Sequence, residues 1–138
     1  MRIALLTEVF LPKIDGVVTR TTRHLDQLAE MGHEVLIFAP GNPPAEYAGF
    51  EVVPIRSHSL KVYPEVKHGM LGPRTFRRLR EFNPDIVHAV NPIWTAGWST
   101  LVAARRFPII ASFHTDVPEY CLKLGIPWVK PIAEWGLR

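Results

Sequence analysis

Apolar runs of five or six residues alternate along this chain with stretches of helical periodicity, the pattern of an α/β protein. Ile3 to Thr7 reads as the first strand. After a loop, Val18, Leu25 and Leu28 recur at helical spacing with Thr21 or Thr22. Arg20, Arg23, Gln27 and Glu30 fall mostly elsewhere, so the spacing predicts an amphipathic helix from about Val17 to Met31. Gly32 stands where a helix takes its C-cap. Glu34 to Ala39 is the second strand, stopped by Pro40-Gly41, and 41–49 reads as loop. Phe50 to Ile55 is the third strand, and 56–72 reads as irregular. Pro73 opens a helix that continues through Phe82. Asp85 to Val90 is the fourth strand. A helix over Ile93 to Arg106 follows, with Ala96, Gly97, Ala103 and Ala104 small enough for close packing. Pro108 to Phe113 is the fifth strand. The tail carries short helical patterns near Pro118 to Leu124 and from Trp128 onward.

Strands with so little polar alternation are those buried on both faces of a sheet. Strands separated by helices are joined by right-handed crossovers. The predicted fold is therefore an α/β, open, doubly wound, Rossmann-like parallel sheet. Ligands in such sheets bind outside the carboxyl ends of the strands, where loops begin at Glu8, Pro40, Arg56, Asn91 and His114. Lys130 to Arg138 is amphipathic and stops without a capping signal, which reads as a truncated helix. Trp128, Trp135 and Leu137 would then lack a packing partner, and self-association through this tail is one outcome.

Composition narrows the picture. The 138 residues suffice for one domain with a core, and 47% apolar content argues against disorder. No run is long enough to cross a bilayer, and Met1-Arg2 leads straight into a strand rather than a signal peptide. The single cysteine, Cys121, excludes an internal disulfide and fits a cytoplasmic location. A formal charge of +3 and a pI near 9.3 suit anionic partners of several kinds.

Four segments bear candidate chemistry. The loop Pro12-Lys13-Ile14-Asp15-Gly16-Val17 ends at a helix start, whose N–H groups suit an anion. Gly16 lets a ligand approach the backbone; equally, Asp15 reads as a plain N-cap with Gly16 easing the turn. No GxGxxG, Walker-type loop or G-x-S-x-G elbow is present. The second segment, Ser112-Phe113-His114-Thr115-Asp116, ends the fifth strand and either brings an imidazole and a carboxylate to the ligand edge or is a loop-capping Asp with a partly packed His. The third, Val62 to Lys67, reads either as a substrate-contacting loop or as plain surface. The fourth is a cationic amphipathic helix, 74–82, with Arg74, Arg77, Arg78 and Arg80 and with Lys61, Lys67 and His68 upstream. It suits peripheral contact with anionic lipid, or is a solvated charged face. No nucleic-acid module is recognisable, so nucleic acid is not an expected partner. The six histidines (24, 33, 58, 68, 88 and 114) show no tight ligand spacing, so no metal site is expected.

With these residues in view, the whole chain resembles the N-terminal half of a GT-B retaining glycosyltransferase of family 4, in the glycolipid, mannosyl and sulfoquinovosyl branch. The resemblance rests on Phe10-Leu11-Pro12 through Asp15-Gly16-Val17, on Tyr63-Pro64-Glu65, on Pro84 to His88, and on Ser112 to Asp116 with Tyr120. It implies that Gly16 and Val17 meet the donor diphosphate and that His114 sits at the donor sugar beside the reacting carbon. It implies that Asp15, Tyr63, Glu65, Asn91, Asp116 and Tyr120 line the acceptor side. The substrates would be a nucleotide-sugar and a lipid or sugar acceptor, with no metal or other cofactor and with front-face attack that retains configuration.

Asp15 departs from the pattern, because many members of the wider family carry a second glycine or an asparagine there. On this resemblance, residues 1–138 are the acceptor-side domain and the C-terminal donor-binding domain is absent, so the fragment alone is expected to be inactive. The alternative is a stand-alone Rossmann-like binding or assembly module. A second α/β domain encoded after Arg138 distinguishes the two.

Overall fold

A computed structural model describes residues 1–59, 67–69, 71–92 and 95–114. In chain order these form β1 (Arg2–Thr7), α1 (Gly16–Glu30), β2 (Glu34–Pro40), β3 (Glu46–Tyr47), β4 (Phe50–Ile55), β5 (Ser57–Ser59), β6 (Lys67–Gly69), α2 (Pro73–Phe82), β7 (Ile86–Val90), α3 (Thr95–Ala103) and β8 (Ile109–Ser112). The main sheet runs β3-β4-β2-β1-β7-β8, and every pairing in it is parallel except the short β3-β4 edge. Strand order thus reverses beside β1, and the crevice between the carboxyl ends of β1 and β7 is the position where open α/β sheets take ligands.

The sheet is covered on both faces, as its uninterrupted apolar strands require. Alternate residues of β1, β2 and β7 (Ile3, Leu5, Val35, Ile37, Val90) pack beneath Leu25 and Leu28 of α1. The others (Ala4, Leu6, Leu36, Phe38, Val87) pack with Leu79 and Phe82 of α2 and Ala103 of α3. In a parallel sheet, register partners point to one face. Val87 and Ile109 therefore share the α2–α3 side, while His88 with Ile110 and Val90 with Ser112 share the α1 side.

Several expectations shift. The loop at 41–49 holds β3, which pairs with β4 around Ala48 and Gly49, both in the left-handed region. Tyr47 packs edge-on against Phe10, their ring centroids 6.0 Å apart, and this packing gives an otherwise marginal two-residue strand its place. The irregular stretch 56–72 contains the antiparallel pair β5-β6. The third helix ends at Ala103, short of Arg106. β8 is not buried on both faces: it ends the sheet among the described residues, and Ile110 is 54% exposed. The tail patterns beyond 114 lie outside the described residues.

The basic helix forms where expected, with Pro73 in its first turn and Asn83 in a left-handed C-cap. Leu79 and Phe82 are its buried side. Arg78 pairs with Glu51 of β4, and Arg77 with Glu81 at 3.6 Å along the helix. The apolar face of α2 is thus spent on the core, leaving the guanidiniums of Arg74, Arg77 and Arg80 outermost around a groove of about 410 Å³. No helix among the described residues is long and apolar enough to cross a membrane.

Candidate functional site

At the end of β1, buried Thr7 turns its hydroxyl onto the Val9 carbonyl, 2.8 Å away, and sends the chain into the loop that precedes α1. Asp15 is extended (φ −147°) and its carboxylate accepts the Val18 N–H at 2.9 Å, so it is the N-cap. Its second oxygen lies 3.4 Å from the Lys13 ammonium. The Val18 amide is thereby satisfied. Gly16 and Val17 also belong to the first turn, where amides have no intrahelical acceptor, and no partner for theirs is found among the described residues. They are donors at the positive end of a helix of 15 residues.

A cavity of about 740 Å³ opens beside them, between α1 and the ends of β7 and β8. Gly16, Arg20, Arg23 and His24 form its helical wall, and His88, Ser112 and His114 its sheet wall. The spacing 16, 20, 23, 24 is one stripe of an α-helix. No ion pair is found for Arg20 or Arg23 among the described residues, and their guanidiniums add positive charge along the wall below the helix terminus.

The sheet wall holds a hydrogen-bonded run of side chains. His88 Nε2 is 2.8 Å from Ser112 Oγ, which is 3.2 Å from His114 Nε2. His24 of α1 meets His88 edge-on, with ring centroids 5.5 Å apart. Burial, helped by His24 and His114, pulls His88 down to about 4. Burial, then the nearby Arg20 charge and His24, lowers His114 from its ordinary value. Both imidazoles are therefore uncharged at neutral pH and act as hydrogen-bonding groups. Although imidazoles gather here, no group of three His, Cys, Asp or Glu side chains among the described residues could hold a metal ion. The wall thus combines fixed cations, amide donors and neutral imidazoles, which suits a polar anionic ligand.

Of the residues singled out from the sequence, Gly16 and His114 share this cavity. Val17 begins α1 beside Gly16, its side chain packed on the core. The Asp15 carboxylate is engaged as the cap. Asn91 follows β7, 8% exposed and in the left-handed region, and its N–H donates to the Ser112 carbonyl at 2.7 Å. Asn91 is not part of the cavity wall. Tyr63, Glu65, Asp116 and Tyr120 lie outside the described residues. Sequence reasoning missed Arg20, Arg23, His24 and His88 as lining groups and gave Ser112 no role beyond its segment. The stripe descending from Gly16 would have found the first three; the last two emerge only from the β7-β8 register.

Comparison with known proteins bears on what fills such a cavity. The profile of Glycosyltransferase Family 4 matches residues 14–138. A GDP-mannose-dependent alpha-mannosyltransferase of Mycobacterium tuberculosis is 38% identical over 135 residues, covering 92% of this chain and 35% of its own length. The protein of the same name from Corynebacterium glutamicum is 36% identical over 142 residues, 98% of this chain and 34% of its own. The sulfoquinovosyl transferase SQD2 of Arabidopsis thaliana is 32% identical over 128 residues, 90% of this chain and 25% of its own. The chain thus spans between a quarter and about a third of the length of these relatives.

Proposed function

The chain belongs to glycosyltransferase family 4, and on that premise we propose that it is the acceptor-side half of a retaining enzyme that moves a sugar from a nucleotide-sugar to a lipid or sugar acceptor. The observation that carries this reading is the convergence of Gly16 and His114 on one cavity. The donor diphosphate would lie against the Gly16 and Val17 amides, where helix donors and the Arg20 and Arg23 charges favour a leaving group whose negative charge grows during reaction. Amide donors aimed at developing charge lower a barrier by roughly 3 kcal/mol each. Uncharged His114 would hydrogen-bond the donor sugar close to the reacting carbon.

In this scheme the acceptor attacks from the face the leaving diphosphate vacates, its proton passes to the departing phosphate oxygen, and configuration is kept. In this reading the wall's guanidiniums supply positive charge toward the diphosphate, and no metal ion is expected to take part. Relatives that carry mannosyl and sulfoquinovosyl groups support the general reaction class. The outward guanidiniums of α2 favour a lipid acceptor presented at an anionic membrane face, with the protein held there peripherally on the cytoplasmic side.

The test is a transfer screen with the full-length protein, supplying several nucleotide-sugars against lipid extracts and free sugars in chelator. Metal-independent transfer with the donor anomer preserved is expected. Absence of transfer from every donor, or an inverted product, overturns the reading.

A further inference from the structure

We propose that Ser112 is a positioning residue for His114: its hydroxyl bridges His114 to His88 and fixes the tautomer that His114 presents in the cavity. The catalytic consequence rests on the reading of that cavity as the donor site; the geometry does not.

Ser112 is itself held firmly. It ends β8, its carbonyl accepts the Asn91 N–H at 2.7 Å, and the register sets it beside Val90, two residues past His88 on the same face of the sheet. From there Oγ reaches His88 Nε2 at 2.8 Å and His114 Nε2 at 3.2 Å. A serine hydroxyl has one proton. Between two imidazole nitrogens it can donate to one and accept from the other, or accept from both. The 2.8 Å contact suits the hydroxyl as donor to His88, and the 3.2 Å contact an N–H donated by His114. The arrangement the proposal assigns is His114 Nε2–H to Ser112 Oγ, and Ser112 Oγ–H to His88 Nε2. His88 must then carry its proton on Nδ1, and His114 keeps its lone pair on Nδ1 as an acceptor for a ligand hydroxyl.

The surroundings keep both rings in the uncharged state this requires. His24 of α1 stands against His88, and Arg20 of α1 lies near His114, so an added proton on either ring meets positive or potentially positive neighbours. With both rings doubly protonated, Ser112 could donate to neither and would accept from both, and the polarity of the run would be lost. This arrangement is a device of the fold rather than of local sequence, since His88 and Ser112 meet only because β7 and β8 pair in that register.

The test uses the full-length protein with histidine labelled with nitrogen-15 at both ring positions, as wild type, Ser112→Ala and Ser112→Thr. In wild type and Ser112→Thr, His114 is expected to show a single tautomer protonated at Nε2. Ser112→Ala should stay folded with a slightly lower melting temperature and show mixed tautomers, with kcat reduced about tenfold, the scale of one lost hydrogen bond, and little change in donor KM; Ser112→Thr should restore it. An unchanged His114 tautomer in Ser112→Ala overturns the proposal, as does a shifted tautomer with unaltered kcat. A protein without transferase activity would sink the functional reading, while the nitrogen-15 spectra would still decide the serine bridge.

Discussion

Gly16, in the first turn of α1, and His114, just past β8, line one and the same cavity. They are remote in sequence and meet because α1 lies over the α1-side face of the sheet while β8 is added beyond β7. One wall offers amide donors and guanidiniums, the other neutral imidazoles, and each is supplied by a different β-α or strand-end connection.

That relationship makes Gly16 separable from folding. A Cβ built there meets nothing within 4 Å, and the residue is not in the left-handed region. Gly16→Ala should leave the melting temperature unchanged or slightly higher, since alanine is favoured in helices by about 0.5–1 kcal/mol. If the donor packs against this backbone, kcat/KM of the full-length protein should fall about tenfold or more. Paired melting and kinetic measurements check it; unaltered kinetics remove Gly16 from the site.

Asp15 behaves in the opposite way. Its carboxylate satisfies the Val18 amide, so Asp15→Ala should cost about 1 kcal/mol in denaturant unfolding. Asp15→Asn and Asp15→Ser, which also cap, should restore most of that stability.

His88 predicts an acid-sensitive fold. Its value is lowered from 6.5 to about 4 by burial and by His24 and His114. Between those limits the unfolded chain binds a proton that the folded chain refuses. The contribution is therefore fully present above about pH 6.5 and is lost as pH falls toward 4. Allowing for its partial exposure, the loss is about 2 kcal/mol. His114, lowered in the same direction, adds to it. Urea unfolding across this range should show the slope, and His88→Gln should flatten it.

Leu79 tests the other side of the sheet. It is fully buried under α2 among Leu6, Leu36 and Phe38. Leu79→Ala should destabilise by about 2–5 kcal/mol, read from the unfolding midpoint, and leave the pH slope of His88 in place.

Much of this was legible in the chain. Unbroken apolar runs such as Val35 to Ala39 suit strands buried on both faces of a parallel sheet, and Pro73, Asp15 and Gly32 mark helix ends through backbone chemistry that local sequence carries. The short strand at Glu46–Tyr47 was not legible, because its support comes from Phe10 across the fold. Half of the site was readable for a similar reason: Gly16 and His114 stand at element ends, where sheet topology aims them. Arg20 and Arg23 lie off the apolar face of α1 and carry no local sign of a ligand wall, and His88 joins the site only because β8 pairs with β7 in that register.

The most direct measurement is a nuclear magnetic resonance titration of the isotope-labelled full-length protein with a nucleotide-sugar it binds. The backbone amides of Gly16 and Val17 and the imidazole of His114 should shift together along one saturation curve. Saturable binding that moves one of these groups without the other, or neither, would contradict a shared donor cavity.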